Sequence, residues 1–149
     1  MSTKPIVVGI DGTPASDRAL EWALDEAVVR KCPLHVVHAW TFEALANWTE
    51  TTEQQVRAES AAVLEKAVRK ASEQRQDLPE IVRMSLRGDA AATLEKTSEG
   101  AAMLVVASHT GRRVRQIVLG STSMHVVRHA HAPIVVIPVN DHELAESTR

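Results

Sequence analysis

The stretch Ile6-Val7-Val8-Gly9-Ile10-Asp11-Gly12-Thr13-Pro14-Ala15-Ser16 decides the fold. Its first five residues form a short, nearly unbroken apolar run, the pattern of a strand covered on both faces. Asp11-Gly12 then breaks the run. Thr13 is placed to cap a helix, and Pro14 suits the first helical position, where its missing N–H costs nothing. Beyond it, Leu20, Ala23, Leu24, Ala27 and Val28 recur at i, i+3, i+4, i+7 and i+8, which puts them on one face of a helix. A buried strand thus turns sharply into an amphipathic helix.

The same alternation repeats outward. Four more apolar runs follow: Leu34 to Ala39, Ile81 to Leu86, Ala102 to Ala107, and Ile134 to Val139. The third run of the five alternates, with Ile81, Arg83 and Ser85 against Val82, Met84 and Leu86, as an edge strand with one wetter face would. Pro138 late in the last run also fits an edge or a strand end. Between the runs lie helices. One carries Val56, Val63, Leu64, Ala67, Val68 and Ala71 on a stripe, with Thr52 and Gln55 as a capping box. Another starts at Asp89, turns Ala90, Leu94 and Thr97 inward and stops at Gly100. The last opens at Ser121 or Thr122 and ends before Pro133. The order β-α-β-α-β-α-β-α-β predicts a parallel five-stranded α/β sheet, doubly wound in the Rossmann manner. The common strand order for such a sheet is 3-2-1-4-5. Residues 1–139 form one domain, and 140–149 a polar C-terminal tail.

Composition narrows the function. The chain has 149 residues, 17 Lys and Arg against 19 Asp and Glu, and one cysteine, Cys32. Near-balanced charge disfavours a nucleic-acid surface. No apolar stretch approaches the ~20 residues that span a bilayer, and the start carries no signal-peptide pattern. A lone cysteine closes no internal disulfide, so Cys32 reads as a structural thiol and the compartment as the cytoplasm.

In open α/β sheets ligands sit beyond the carboxyl ends of the strands where the strand order reverses. With strand 1 beside strand 4, Ile10-Asp11-Gly12-Thr13 would face Ala107-Ser108-His109-Thr110-Gly111 there. Gly120 permits close backbone approach, and Ser121-Thr122-Ser123 opens a helix whose N–H groups suit an anion. The hydroxyls of Ser121 and Ser123 would add donors to phosphate oxygens. The competing reading of this segment is a plain N-cap. Asp11 likewise either lines a pocket or caps the turn before the first helix. Trp40 and Trp48 bracket a long connection and would anchor it on the core. Arg112, Arg113 and Arg115 either meet phosphates or sit on a solvated loop.

His125 and His129 are spaced i, i+4 on one helix face. They lack the further ligands and the intervening glutamate of a zinc site, so they read as structural or surface residues and no metal site is predicted. His38 reads as a hydrogen-bonded packing residue, and His109 as the histidine best placed for a ligand.

These motifs, in this order, resemble the universal stress protein family from Ile6 to about Val139. The opening strand and turn are similar, as are Leu34-His35-Val36-Val37-His38-Ala39-Trp40, the loop from Val105 to Ser123, and Ala132-Pro133-Ile134-Val135-Val136-Ile137-Pro138. The resemblance implies an adenine-nucleotide-binding regulatory module of the stress response, with ATP, alone or with Mg2+, as ligand. Asp11 would lie near the adenine and Ala39 would offer backbone groups to the base. ATP-binding members carry Gly, two residues, Gly, nine residues, then Gly-Ser or Gly-Thr. Here Gly120-Ser121 matches, while Ala107 and Thr110 stand at the first two glycine positions. Thr110 is the costlier departure, because a β-branched residue strains at positive φ, and Gly111 is placed to take over the turn. The alternative is a nucleotide-free homodimeric scaffold acting through protein partners. In either case the apolar edge from Ile134 to Val139 would pair across a two-fold axis. No catalytic residue is evident, and turnover would be slow ATP hydrolysis at most. A P-loop enzyme needs a Gly-Lys-Ser/Thr that the chain lacks. A phosphoacceptor receiver would need an acidic pair after strand 1 and an aspartate ending strand 3, and Asp89 reads instead as a helix cap.

Overall fold

The computed structural model describes residues 4–43, 50–108 and 120–138. Five strands and four helices alternate: β1 (Ile6–Gly9), α1 (Pro14–Arg30), β2 (Leu34–Trp40), α2 (Glu53–Ser72), β3 (Ile81–Arg87), α3 (Ala90–Thr97), β4 (Met103–Ala107), α4 (Ser121–His129) and β5 (Ile134–Ile137). Every pairing is parallel, and the sheet order is β3-β2-β1-β4-β5, as expected.

Strand pleating splits the core into two layers, because successive side chains leave opposite faces. Ile6, Val8, Leu34, Val36, Met103 and Val105 pack on one face against Leu20, Leu24, Leu64 and Val68 of α1 and α2. Val7, Val37, Leu104 and Val106 point the other way, onto Leu94 of α3 and Val126 of α4. Covering both faces is why these strands read as continuous apolar runs. Cys32 is buried in the first layer.

The helix starts follow the caps. The Thr13 hydroxyl accepts from the Ser16 N–H, Thr52 and Gln55 form a reciprocal box, and Asp89 accepts from the Ala92 N–H. Strand ends shift by a residue or two. β1 stops at Gly9, although the Ile10 N–H still bonds the Val37 carbonyl at 2.9 Å. β2 and β3 each run one residue further than expected, and β4 starts at Met103. β5 is assigned to Ile134–Ile137; Val139 and the tail lie outside the described residues. Ala90, expected to point into the core, is exposed: as the first residue of α3 it stands at the strand ends rather than under the sheet. No described helix is long and apolar enough to cross a membrane.

Candidate functional site

β1 lies between β2 and β4, so the strand order reverses at β1 and β4. A cavity of about 260 Å3 opens at their carboxyl ends. Gly9, Ile10, Val37, Val106 and Leu94 give it apolar walls, and Ala39, Ala90 and Ala107 contribute small side chains. Asp11, Thr13, Ser16, Gly120, Ser121, Thr122 and Ser123 supply its polar groups.

Two segments build the polar side. After β1 the backbone turns at Gly12, whose φ of +82° is a left-handed conformation that side chains disfavour. The Asp11 carboxylate accepts from the Thr13 N–H at 2.9 Å and from the Thr13 hydroxyl at 2.5 Å. The Asp11 N–H donates to the Ser16 hydroxyl at 3.2 Å, which itself donates to the Thr13 carbonyl at 3.0 Å. Asp11 therefore both fixes the turn and lines the cavity, so the two readings of it are compatible.

Opposite stands the start of α4. Gly120 occupies the N-cap position with extended geometry and no side-chain capping bond. The helix dipole and its first N–H groups thus meet the cavity without a competing side-chain acceptor. Ser121 is exposed, and Thr122 is half-buried. Ser123 is buried and its hydroxyl donates to the Ala107 carbonyl at 3.0 Å. That bond ties α4 to the end of β4. Its proton is committed to the backbone, so hydroxyl donation toward the cavity falls to Ser121 and Thr122.

Of the residues expected at the site, Ile10, Asp11, Ala39, Ala107, Gly120, Ser121, Thr122 and Ser123 share this cavity. Ser108 does not line it. Ser108 is fully buried, with its N–H 2.9 Å and its hydroxyl 3.4 Å from the Ile137 carbonyl, and it stitches β4 to β5. His109, Thr110 and Gly111 lie outside the described residues, as do Trp48 and Arg112, Arg113 and Arg115. The sequence reading missed Gly9, Ser16, Val37, Ala90, Leu94 and Val106. Val37 was within reach of it, since it shares a strand face with Ala39.

Behind the cavity a hydrogen-bonded chain crosses three elements. The Trp40 indole N–H donates to the Ser85 hydroxyl at 3.1 Å, Ser85 and Ser60 are 2.7 Å apart, and Ser60 is 2.7 Å from His38 Nδ1. An indole only donates. A run in one direction therefore has Ser85 donating to Ser60 and Ser60 donating to an unprotonated Nδ1. Burial pushes the His38 pKa below its usual value, and the attraction of Asp11 offsets this only in part. His38 is thus the hydrogen-bonded packing residue that the sequence suggested. Among the described residues, no group of three or more His, Cys, Asp or Glu is arranged to hold a metal ion.

The model of the universal stress protein family matches residues 2–138. The chain belongs to the universal stress protein family. Among curated relatives, one universal stress protein of Mycobacterium tuberculosis is 32% identical over 89% of this chain and 47% of its own length. A second from that organism is 30% identical over 94% of this chain and 49% of its own. The chain thus spans about half the length of the curated relatives it matches. Solved universal stress proteins share the fold. One in complex with cAMP has 21% identity and a TM-score of 0.70, covering 94% of this chain and all of that one. One from Archaeoglobus fulgidus in complex with dAMP has 22% identity and a TM-score of 0.70, covering 92% and 99%.

Proposed function

We propose that this universal stress protein domain binds an adenine nucleotide, ATP with or without Mg2+, as a regulatory module of the stress response. One observation carries the reading: Asp11 and Ala39, the groups expected at the base, share a single cavity with Gly120, Ser121 and Thr122, the groups expected at the phosphates. The adenine would lie against Ile10, Val37 and Leu94, with Asp11 at its polar edge. The phosphates would lie at the α4 N-terminus, where N–H groups and the helix dipole favour negative charge. Solved relatives in complex with cAMP, dAMP and AMP support the choice of an adenine nucleotide.

The module works by binding rather than turnover. Among the described residues lining the cavity there is one carboxylate, Asp11, already engaged by Thr13, and no histidine or second acid to act as a general base. Mg-ATP should raise the melting temperature by ligand linkage, while Mg-GTP should not. A melting temperature indifferent to millimolar ATP would remove the nucleotide reading.

A homodimer is the second part of the proposal. β5 is an edge strand, and all four of its residues are only half-buried. Beside it on α4, Met124 and Val127 remain 37% and 47% exposed. Antiparallel pairing of β5 with a second copy across a two-fold axis would cover this edge. Loss of nucleotide binding alone would leave such a dimer as a scaffold for protein partners.

A further inference from the structure

Away from the cavity, at the far end of α4, the structure assembles a cluster that the proposed function does not use. His125 and His129 project from the same face, with ring centres 4.5 Å apart and ring planes 42° from parallel. Glu95 of α3 reaches across, its Oε2 2.8 Å from His125 Nε2. We infer that His125 and His129 chelate one divalent transition-metal ion of the nickel or copper kind, with Glu95 as the residue that orients His125.

The chemistry follows from the hydrogen bond. With Glu95 accepting from Nε2–H, the neutral form of His125 carries its lone pair on Nδ1. Metal-binding histidines are oriented this way, with the second ring nitrogen donating to a carboxylate that also raises the ligand's basicity.

The ring separation lies within reach of one ion. With metal–nitrogen bonds of about 2 Å, two imidazoles on one ion hold their centres about 4.5–5 Å apart, and the 4.5 Å found here falls in that span. A pair of imidazoles with open positions for water suits Ni2+ and Cu2+. With no third ligand arranged around it among the described residues, the ion would complete its shell with water. The helix holding the pair is anchored from beneath by the fully buried Val126, between the two histidines, so the i, i+4 geometry is held by the fold.

A plain reading of His129 is a cationic side chain at a helix C-terminus. That reading accounts for His129 but not for the carboxylate on His125, and titration separates the two. The full chain without an affinity tag is titrated calorimetrically with Ni2+, with Mg2+ as control. One Ni2+ binds per chain and Mg2+ gives no heat. His129→Ala, at an exposed position, weakens Ni2+ binding at least tenfold, Glu95→Gln weakens it about tenfold, and His131→Ala leaves it unchanged. The paramagnetic resonance spectrum of the Cu2+ form shows coupling to two nitrogens. No heat with millimolar Ni2+, an affinity indifferent to His129→Ala, or a loss that follows His131 instead would overturn the assignment.

Discussion

Gly9 and Leu94 share one wall of the cavity, and neither leaves room for change at the other. A Cβ at residue 9 would lie 2.7 Å from Leu94 Cδ1, so Gly9→Ala must push that side chain aside, into the space the ligand needs. The expected result is a stability loss of about 1–3 kcal/mol together with weaker ATP binding, read by denaturant unfolding and calorimetry. Leu94→Ala in the same chain should relieve the clash, so the double variant loses less than the sum of the singles. His38 gives a pH dependence. Its folded pKa is pushed below the ordinary 6.5 by burial, so the unfolded chain binds the proton more readily. The stability due to neutral His38 is complete above the unfolded pKa and is lost as pH falls through it toward the lower folded value. The urea midpoint should therefore fall between about pH 8 and pH 5, less steeply in His38→Gln; an equal slope in both would remove His38 as the cause. Asp11 shows what a sequence withholds at this scale. Pocket and turn looked like rival roles, and only coordinates show one carboxylate holding Thr13 while facing the cavity.

Among the elements, the helix starts were legible because a cap acts within three residues of itself. Thr13, Thr52 with Gln55, and Asp89 all cap as their spacing suggests. Contacts made at long separation were not legible. Ser60 lies on the buried stripe of α2, four residues from Leu64, yet periodicity skips it because it is polar. Its partners His38 and Ser85 are 22 and 25 residues away. Such a residue joins α2 to β2 and β3 through polar bonds inside an apolar layer, where an unpaired group is costly. Ser60→Ala should cost about 1–3 kcal/mol in urea unfolding. Adding Ser85→Ala should cost less than Ser85→Ala does alone, since the Ser60–Ser85 bond is already lost and only the Trp40 indole N–H then loses its acceptor. Full additivity would mean that the two hydroxyls act independently. The α4 start was legible as an anion site or a cap but not as which. The structure leaves Gly120 without a capping side chain and bonds the Ser123 hydroxyl to Ala107, so neither competes with the anion that we propose there.

For the whole molecule, strand order does most to position function. Five apolar runs separated by helical stripes predict a parallel α/β sheet but not its order; the order common to such sheets, β3-β2-β1-β4-β5, is the one found, and it brings the turn after β1 opposite the start of α4, more than a hundred residues later in the chain. What pattern could not give was the shape of the enclosed space, which depends on where α3 sets Ala90 and Leu94 over the strand ends. The exposed β5 edge predicts a dimer: light scattering at micromolar concentration should give twice the chain mass, and a monomer mass throughout would leave that edge uncovered. The central claim is that phosphates and the α4 N-terminus meet. It is tested most directly by calorimetric titration of the chain and its Gly120→Asp variant with Mg-ATP, using Mg-GTP as control. Aspartate is a good N-cap, so the variant should fold at least as stably, while its carboxylate occupies the N–H groups and repels phosphate. The account predicts binding of ATP but not GTP by the unaltered chain, weakened at least about tenfold in Gly120→Asp. Equal ATP affinity in both proteins, or no binding by either, would contradict it.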